Sequence, residues 1–437
     1  MPSSHPQSTG VSWPPAAPLR LCIIGMGYVG LPLALAFSRH YPVIGFDINA
    51  ERIEDLRAGV DRTLEAAPEE LRSAEHLTYT VNADDMAACT VFIVTVPSPI
   101  DLSQQPDLGA IKAASETIAN YLKPGDVVVY ESTVYPGVTE DFCLPLLERS
   151  GLRAGKDFGL GYSPERINPG DQTRRLKDIR KITSGMTPGC ADFVDHLYST
   201  VIEAGTFRAA SIRTAEMAKV VENSQRDVNI ALMNELAIMC DHMDLRTYEV
   251  LEAAATKWNF LPFTPGLVGG HCIGVDPYYL IHKSQRVGHH PDLIISGRRI
   301  NNSMGTYIAR KVTRMMAQRD IELTRANVLI LGISFKENCP DLRNSKVADI
   351  HRYLVSMVGS IDVYDPLVRS VDAAAELGIG LLSGEPPGNH YDCIVVAVPH
   401  NVFLQRGPDW VRSLCRKSSL VYDIKSALVP GLVDKTL

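Results

Sequence analysis

The sequence predicts an α/β protein, with two doubly wound parallel-sheet domains joined by a central helical domain that contains one long helix. Three observations carry this expectation. Short continuous apolar runs recur near both ends of the chain, which is how strands buried on both faces read. The first run leads directly into Gly25-Met26-Gly27-Tyr28-Val29-Gly30 and a helical pattern. Between the two groups of runs, Ser211 to His242 keeps helical spacing with neither glycine nor proline. At 437 residues the chain exceeds what one core supports. The expected division is a Pro- and Ser-rich disordered leader over 1–18, a first sheet domain over 19–205, a central helical domain over 206–320 and a second sheet domain over 321–437.

In chain order, Leu19 to Ile24 is the first buried strand, Leu31 to Ser38 a helix, and Val43 to Phe46 the next strand, ending in Asp47. This is a dinucleotide fingerprint in its required context, so both sheets are expected to be Rossmann-like. Gly25 permits the tight turn, Gly27 lets the backbone meet a pyrophosphate, and Gly30 allows helix and strand to pack closely. The helix N-terminus offers free N–H groups to phosphates. Asp47 can accept from both ribose hydroxyls and would repel a 2′-phosphate, which favours NAD over NADP. The cofactor-facing set is Gly25, Gly27, Tyr28, Val29, Gly30, Asp47, Arg52, Pro97 and Thr133, with Lys336 from the second sheet domain.

Val91 to Val96 and Val127 to Tyr130 are further strands, closed by Pro97-Ser98-Pro99 and by Glu131-Ser132-Thr133. Thr133 suits either a hydroxyl offered to substrate or an ordinary helix cap. Phe158 to Tyr162 ends in Ser163-Pro164-Glu165-Arg166, a carboxylate and a guanidinium at a strand end. On the long helix, of about 30 residues and so about 45 Å, Lys219 and Asn223 are four apart and share a face. An amine and an amide there suit a developing oxyanion and a fixed water; a solvent-facing polar stripe is the alternative. Arg246 to Thr256 and Asp292 to about Gln318 complete the helical block, whose apolar faces predict a subunit contact and hence a homodimer.

Gly269-Gly270-His271-Cys272-Ile273-Gly274 places one thiol in a glycine-rich loop, with Asp276 following and Pro277 suited to a helix start. A thiol in such a loop is a candidate nucleophile, although a free cysteine is more often a small buried hydrophobe. Asn327 to Leu331, Ile361 to Tyr364 and Cys393 to Val398 are the strands of the second sheet. Its first turn has a single glycine, so it does not repeat the fingerprint. Lys336 and Arg343 just past its first strand suggest an anionic ligand such as a nucleotide diphosphate.

Composition sets outer limits. A net charge of −7 with no basic run argues against a nucleic-acid partner. No apolar run reaches the roughly 18 residues of a membrane span. Nine scattered cysteines without a Cys-x-x-Cys pair fit a reducing, cytoplasmic compartment and no metal site.

Taken together, these motifs resemble the UDP-glucose/GDP-mannose dehydrogenase family from about residue 20 to 425. The likeness rests on Gly25 to Gly30, Glu131 to Thr133, Pro164-Glu165, Lys219 with Asn223, Gly269 to Cys272 with Asp276, and Phe335-Lys336 with Asp341-Leu342-Arg343. Tyr162 to Asp171 and Asn259 to Cys272 look most like the UDP-N-acetylhexosamine branch, which makes uronic acids for bacterial O-antigen and capsule. The resemblance implies an NAD-dependent four-electron oxidation of the sugar C6 hydroxyl, through a Cys272 thiohemiacetal and thioester. It further implies a water held by Asp276 and Asn223, oxyanion stabilisation by Lys219, and hydrolytic roles for Glu165 and Thr133. Lys336 and Arg343 would hold the uridine diphosphate or couple the lobes. Gly269, Arg298 and Phe335 complete the implied substrate contacts. Two departures from the UDP-glucose pattern, Pro169 in place of a second acid and no arginine in Thr256 to Asn259, point to a 2-acetamido sugar, with Arg166 and Asn168 as its contacts. The gluco and galacto epimers both stay open. UDP-glucose oxidation, a two-electron hydroxy-acid dehydrogenase and a non-catalytic ligand-binding protein are the competing readings.

Overall fold

A computed structural model describes residues 18–101, 103–167, 174–428 and 433–437. Apart from Pro18, the expected leader lies outside the described residues, as do Asn168 and Pro169. The chain forms two compact units, Met1–Glu222 with Tyr278–Val287, and Asn223–Pro277 with Gly288–Leu437.

The first unit contains β1 (Leu21–Ile24), β2 (Val43–Phe46), β3 (Leu77–Thr80), β4 (Val91–Val94), β5 (Val127–Tyr130), β6 (Gly159–Tyr162), β7 (Lys181–Gly185) and β8 (Thr206–Arg208). They form one sheet in the order β3-β2-β1-β4-β5-β6-β7-β8. All neighbours are parallel except β6 and β7. Strand order reverses at β1, which sits between β2 and β4, and ligands of such sheets bind beyond the strand ends at that point.

Two-sided burial explains why the strands read as continuous apolar runs. Leu21, Ile23, Val91 and Ile93 face one layer with Leu31, Leu33 and Phe37. Cys22, Ile24, Phe92 and Val94 face the other with Ile111 and Ile118. Each fully buried aliphatic side chain contributes about 1.5–3 kcal/mol.

The second unit repeats the scheme. Its strands β9 (Asn327–Leu331), β10 (Ser360–Tyr364), β11 (Tyr391–Val396), β12 (Cys415–Asp423) and β13 (Lys435–Thr436) pair in parallel, in the order β10-β9-β11-β12-β13. One face packs on Ile308, Val312 and Met316 of the helix Asp292–Ala317, and the other on Phe403 and Val411 of the helix Asn401–Ser413.

The long helix is Ile212–His242, and the division between the two units falls inside it, after Glu222. Within the second unit a buried polar cluster pins it to the helix Asp292–Ala317. Arg298 pairs with Asp227 at 2.5 Å, and Asn301 donates to the Asp227 carboxylate at 2.7 Å. The Arg298 side chain is buried, and Asn302 engages it as well at 2.6 Å, so it braces the two helices.

A second buried pair underlies the loops at the C-terminal ends of β5 and β6. Lys181 lies 2.5 Å from Glu131, both side chains are almost fully buried, and the Tyr198 hydroxyl donates to the same carboxylate. Burial pushes the Glu131 carboxyl up, and Lys181 and Tyr198 act against that. Removing one partner leaves the other buried and uncompensated. Lys181→Ala should therefore cost about 3–5 kcal/mol in urea unfolding of the full chain, and Glu131→Gln combined with Lys181→Met should cost less. Equal losses for the single and double variants would show that the pair is not coupled.

Candidate active site

In the first unit the turn after β1 is shaped by two glycines. Gly25 has φ 101°, and a Cβ there would lie 2.9 Å from the Thr95 carbonyl oxygen. A Cβ on Gly30 would overlap the Gly25 carbonyl, whereas one on Gly27 would meet nothing within 4 Å. The turn is thus closed toward the sheet and open where a ligand would approach. The helix Gly30–Phe37 begins without a side-chain cap, so no side chain competes with an anion at its start. Asp47 accepts from Met26 N–H at 2.7 Å and Asn49 N–H at 2.9 Å and stays half-buried. An open glycine, an uncapped helix start and a partly accessible acid fit a dinucleotide without a 2′-phosphate. Tyr28 and Val29 are half-buried beside this turn, and Pro97 is exposed in the loop after β4. Arg52 works from behind: its Nε donates to the Met26 carbonyl at 2.8 Å and its Nη1 pairs with Asp61 at 2.8 Å. Through these contacts it supports the turn.

The same unit brings Glu165 and Lys219 together. Glu165 follows β6, Lys219 projects from the long helix, and Lys219 Nζ lies 3.3 Å from Glu165 Oε2, with both residues buried. Glu165 Oε1 is buried with no hydrogen-bond partner among the described residues. A native structure rarely leaves such an acceptor empty without a reason, and a water or substrate hydroxyl would satisfy it. Thr133 sits half-buried in the loop after β5. The next helical turn is Val138–Cys143, preceded by Gly137, so Thr133 caps no helix and that alternative falls. Arg166 pairs with Glu222 at 2.8 Å and donates to the Arg180 carbonyl at 2.6 Å. These two contacts fasten its guanidinium within the first unit.

The second unit holds the thiol. Cys272 is half-buried, while the other eight cysteines are buried. Its carbonyl accepts from Val275 N–H at 3.0 Å and Asp276 N–H at 2.8 Å, which folds the loop directly onto the helix Asp276–Arg286. Asn223 Nδ2 donates to Asp276 at 2.5 Å, with both residues buried. The loop's other end docks on the segment after β9. Gly270 N–H donates to the Arg343 carbonyl at 3.1 Å, and Asn344 Nδ2 donates to the Gly270 carbonyl at 3.1 Å. A Cβ on Gly269 would lie 2.7 Å from the Asn344 carbonyl oxygen, and one on Gly270 would strike the Phe335 ring at 2.8 Å.

Arg343 is committed to this dock. It pairs with Asp341 at 2.5 Å, and its Nη2 lies 3.0 Å from His271 Nδ1. These contacts join two segments of the second unit, and the Arg343 side chain stays partly exposed. Burial alone would push the His271 imidazole down, but the Cys272 sulfur and the Asp341 carboxylate outweigh it and raise it to about 9, with Arg343 opposing them. Burial likewise raises Asp341, yet His271 and Arg343 hold it well below the usual carboxylate range. Lys336 is half-buried in the loop after β9. Sequence reasoning passed over Asp341 and His271 as functional groups, although both stand inside motifs it had marked. Among the described residues no cluster of His, Cys, Asp or Glu could hold a metal, and no helix is long and apolar enough to cross a membrane.

Comparison with known proteins agrees with this geometry. Residues 19–202 match the NAD binding domain of the UDP-glucose/GDP-mannose dehydrogenase family, residues 213–303 its central domain and residues 329–430 its UDP binding domain. The chain is 53% identical over 411 residues to a UDP-N-acetyl-D-glucosamine 6-dehydrogenase of Pseudomonas aeruginosa, covering 94% of this chain and 97% of that one. It is 50% identical to a protein of the same name from Salmonella typhi, covering 94% and 96%. Among solved structures, the UDP-D-ManNAc dehydrogenase of Pyrococcus horikoshii superposes with a TM-score of 0.85 at 30% identity, over 96% of this chain and 98% of that one. With all three domain models matched in order along a chain that pairs a dinucleotide turn with an accessible cysteine, this protein belongs to the UDP-glucose/GDP-mannose dehydrogenase family.

Proposed function

We propose that the chain is an NAD-dependent UDP-N-acetyl-D-glucosamine 6-dehydrogenase that oxidises the sugar C6 hydroxyl to a carboxylate for bacterial surface polysaccharide. The observation that carries this reading is the single accessible cysteine, set in a docked glycine loop beside the buried Asn223–Asp276 pair. The substrate class is supported by the names of the two relatives at 50% identity or more. In this reading residues 19–205 hold NAD, 206–320 supply the thiol and the subunit contact, and 321–437 hold the UDP-sugar.

NAD held at the turn of Gly25, Gly27 and Gly30 and by Asp47 would supply the hydride acceptor for both oxidation steps. Asn223 and Asp276 hold the water that takes the hydroxyl proton during the first. Cys272 then attacks the resulting aldehyde, forming a C–S bond and a thiohemiacetal, which the second oxidation turns into a thioester. Water hydrolyses the thioester, releasing the carboxylate and restoring the thiol. Glu165, through its unpartnered Oε1, orients that water together with Thr133. The Lys219 ammonium stabilises the oxyanion in both the addition and the hydrolysis. Lys336 and Phe335 line the nucleotide site.

A homodimer and a cytoplasmic location complete the reading. Leu232 and Met239 share one face of the long helix, and with Met243, Leu245 and Tyr248 just beyond it they are about half exposed. An apolar stripe of this kind fits a second copy of the chain. Nine unpaired cysteines fit a reducing compartment.

Three outcomes test the proposal. The wild-type chain should yield two NADH per UDP-N-acetylglucosamine, and Cys272→Ser should lose acid formation by about 10³-fold or more while binding NAD normally; undiminished acid formation by that variant would refute the thioester route. Glu165→Gln should give a rapid first release of NADH followed by steady turnover slowed about 10²–10⁴-fold in stopped flow, whereas a slowed first phase would place Glu165 elsewhere in the cycle. Leu232→Asp with Met239→Asp should sediment as a monomer, and an unchanged dimer would exclude this face.

A further inference from the structure

The two sheets treat the same backbone position in opposite ways. After β1, Gly25 N–H donates to the Phe46 carbonyl at 2.8 Å and Met26 N–H donates to Asp47 Oδ2 at 2.7 Å. After β9, Gly332 N–H donates to the Tyr364 carbonyl at 2.9 Å and Ile333 N–H donates to Asp365 Oδ2 at 2.8 Å. Gly332, with φ 84°, corresponds to Gly25, and Asp365 to Asp47. In both folds the acid ends the second strand and ties down the turn that follows the first. At Asp47 the carboxylate stays half-accessible, as a ribose contact requires. Asp365 is only 5% exposed, because the fully buried imidazole of His400 covers it. His400 Nε2 lies 3.1 Å from Asp365 Oδ2.

The other side of that imidazole holds a loop. His400 Nδ1 accepts from Asn338 N–H at 2.9 Å, and Asn401 N–H donates to Asn338 Oδ1 at 2.8 Å. Asn338 has φ 58°, a backbone state that a side chain resists and that these two bonds maintain. Ser334, fully buried, donates from Oγ to the Lys336 carbonyl at 2.9 Å and lies 3.4 Å from His400 Nε2. Three short anchors thus define the course of residues 334–338. With Nε2 facing Asp365 and Ser334, the proton sits there, and Nδ1 is left as the acceptor that Asn338 requires.

The geometry points to His400 as a positioning residue for the nucleotide half of the substrate. It closes the ribose-acid position of the second sheet, so no ribose can use Asp365. It also spans from that acid to Asn338, fixing the loop that presents Phe335 and Lys336. This inference rests on the proposed assignment of that loop to UDP. The ligand of the second sheet is then held by the loop, and the second sheet differs from the first by one imidazole placed where a ribose would otherwise bind.

The test is calorimetric titration of the full chain with UDP and, separately, with NAD, for wild type, His400→Ala, His400→Asn, His400→Gln and Lys336→Ala. His400→Ala should weaken UDP roughly tenfold and leave NAD within about twofold. The Asn amide oxygen can stand in for Nδ1 and accept from Asn338, whereas the Gln amide reaches Asp365 instead. His400→Asn should therefore restore UDP affinity and His400→Gln should not. A packing role would favour Gln, the closer match in volume, or would weaken both ligands alike, and either result overturns the inference. Unchanged UDP affinity in both His400→Ala and His400→Gln, with Lys336→Ala impaired, overturns the inference and leaves the loop assignment standing. If the wild type does not take up UDP, the loop assignment itself falls and His400 with it.

Discussion

The reactivity proposed for this protein depends on holding a flexible loop at both ends. Gly269, Gly270 and Gly274 give the cysteine segment more backbone freedom than any other composition would, and that freedom opposes order. At one end the Asp276 carboxylate is fixed by Asn223 at 2.5 Å, and the loop curls onto the start of a helix. At the other, Arg343 and Asn344 bond the Gly270 backbone while Phe335 fills the space a side chain would need. The glycines are there because the dock is close: a Cβ at position 269 or 270 would meet backbone or ring at under 3 Å. Local freedom has been exchanged for close fit, and the thiol is left half-buried beside His271.

Electrostatics reinforces that arrangement without metal ligands. Asp341 is the pivot, serving Arg343 at 2.5 Å and His271 at 3.5 Å from one buried carboxylate. A buried carboxylate with two cationic partners is costly to disturb from either side. The cysteine loop and the segment after β9 are thereby joined, so a change at Arg343 reaches the residue next to Cys272. In the first unit the buried Glu131–Lys181 pair sits beneath the loops that carry Thr133 and Glu165. In both units a residue assigned to the chemistry rests on a buried charge pair that touches no substrate in the proposed mechanism.

Much of the fold was legible because both sheets are buried on two faces. β1, β2, β4, β5 and β9 read as apolar runs, and the long helix began within one residue of its expected start. β7 was missed because Lys181, Thr183 and Ser184 are buried polar residues, satisfied by Glu131, Asp195 and the Tyr162 carbonyl, so no apolar run announces the strand. β3 and β8, nearer the sheet's edges, carry exposed positions and similarly weak patterns. The glycine fingerprint and the cysteine loop were readable since their spacing alone limits the backbone. Arg298, Arg166, Arg52 and Arg343 each hold partners that the sequence alone does not show. An arginine near a motif looks like an anion contact, and only tertiary structure shows the carboxylate or carbonyl it already holds. His271 and His400 were invisible as functional groups because their partners lie 72 and 35 residues away in sequence.

The central claim is that the sugar becomes bonded to one particular sulfur. Mass spectrometry of peptides from wild-type enzyme, acid-quenched during turnover of UDP-N-acetylglucosamine with NAD, tests it most directly. The account predicts an added mass of the oxidised nucleotide sugar on the peptide containing Cys272 and on no other cysteine peptide. Turnover with every cysteine peptide unmodified, or with the adduct on another residue, would contradict it.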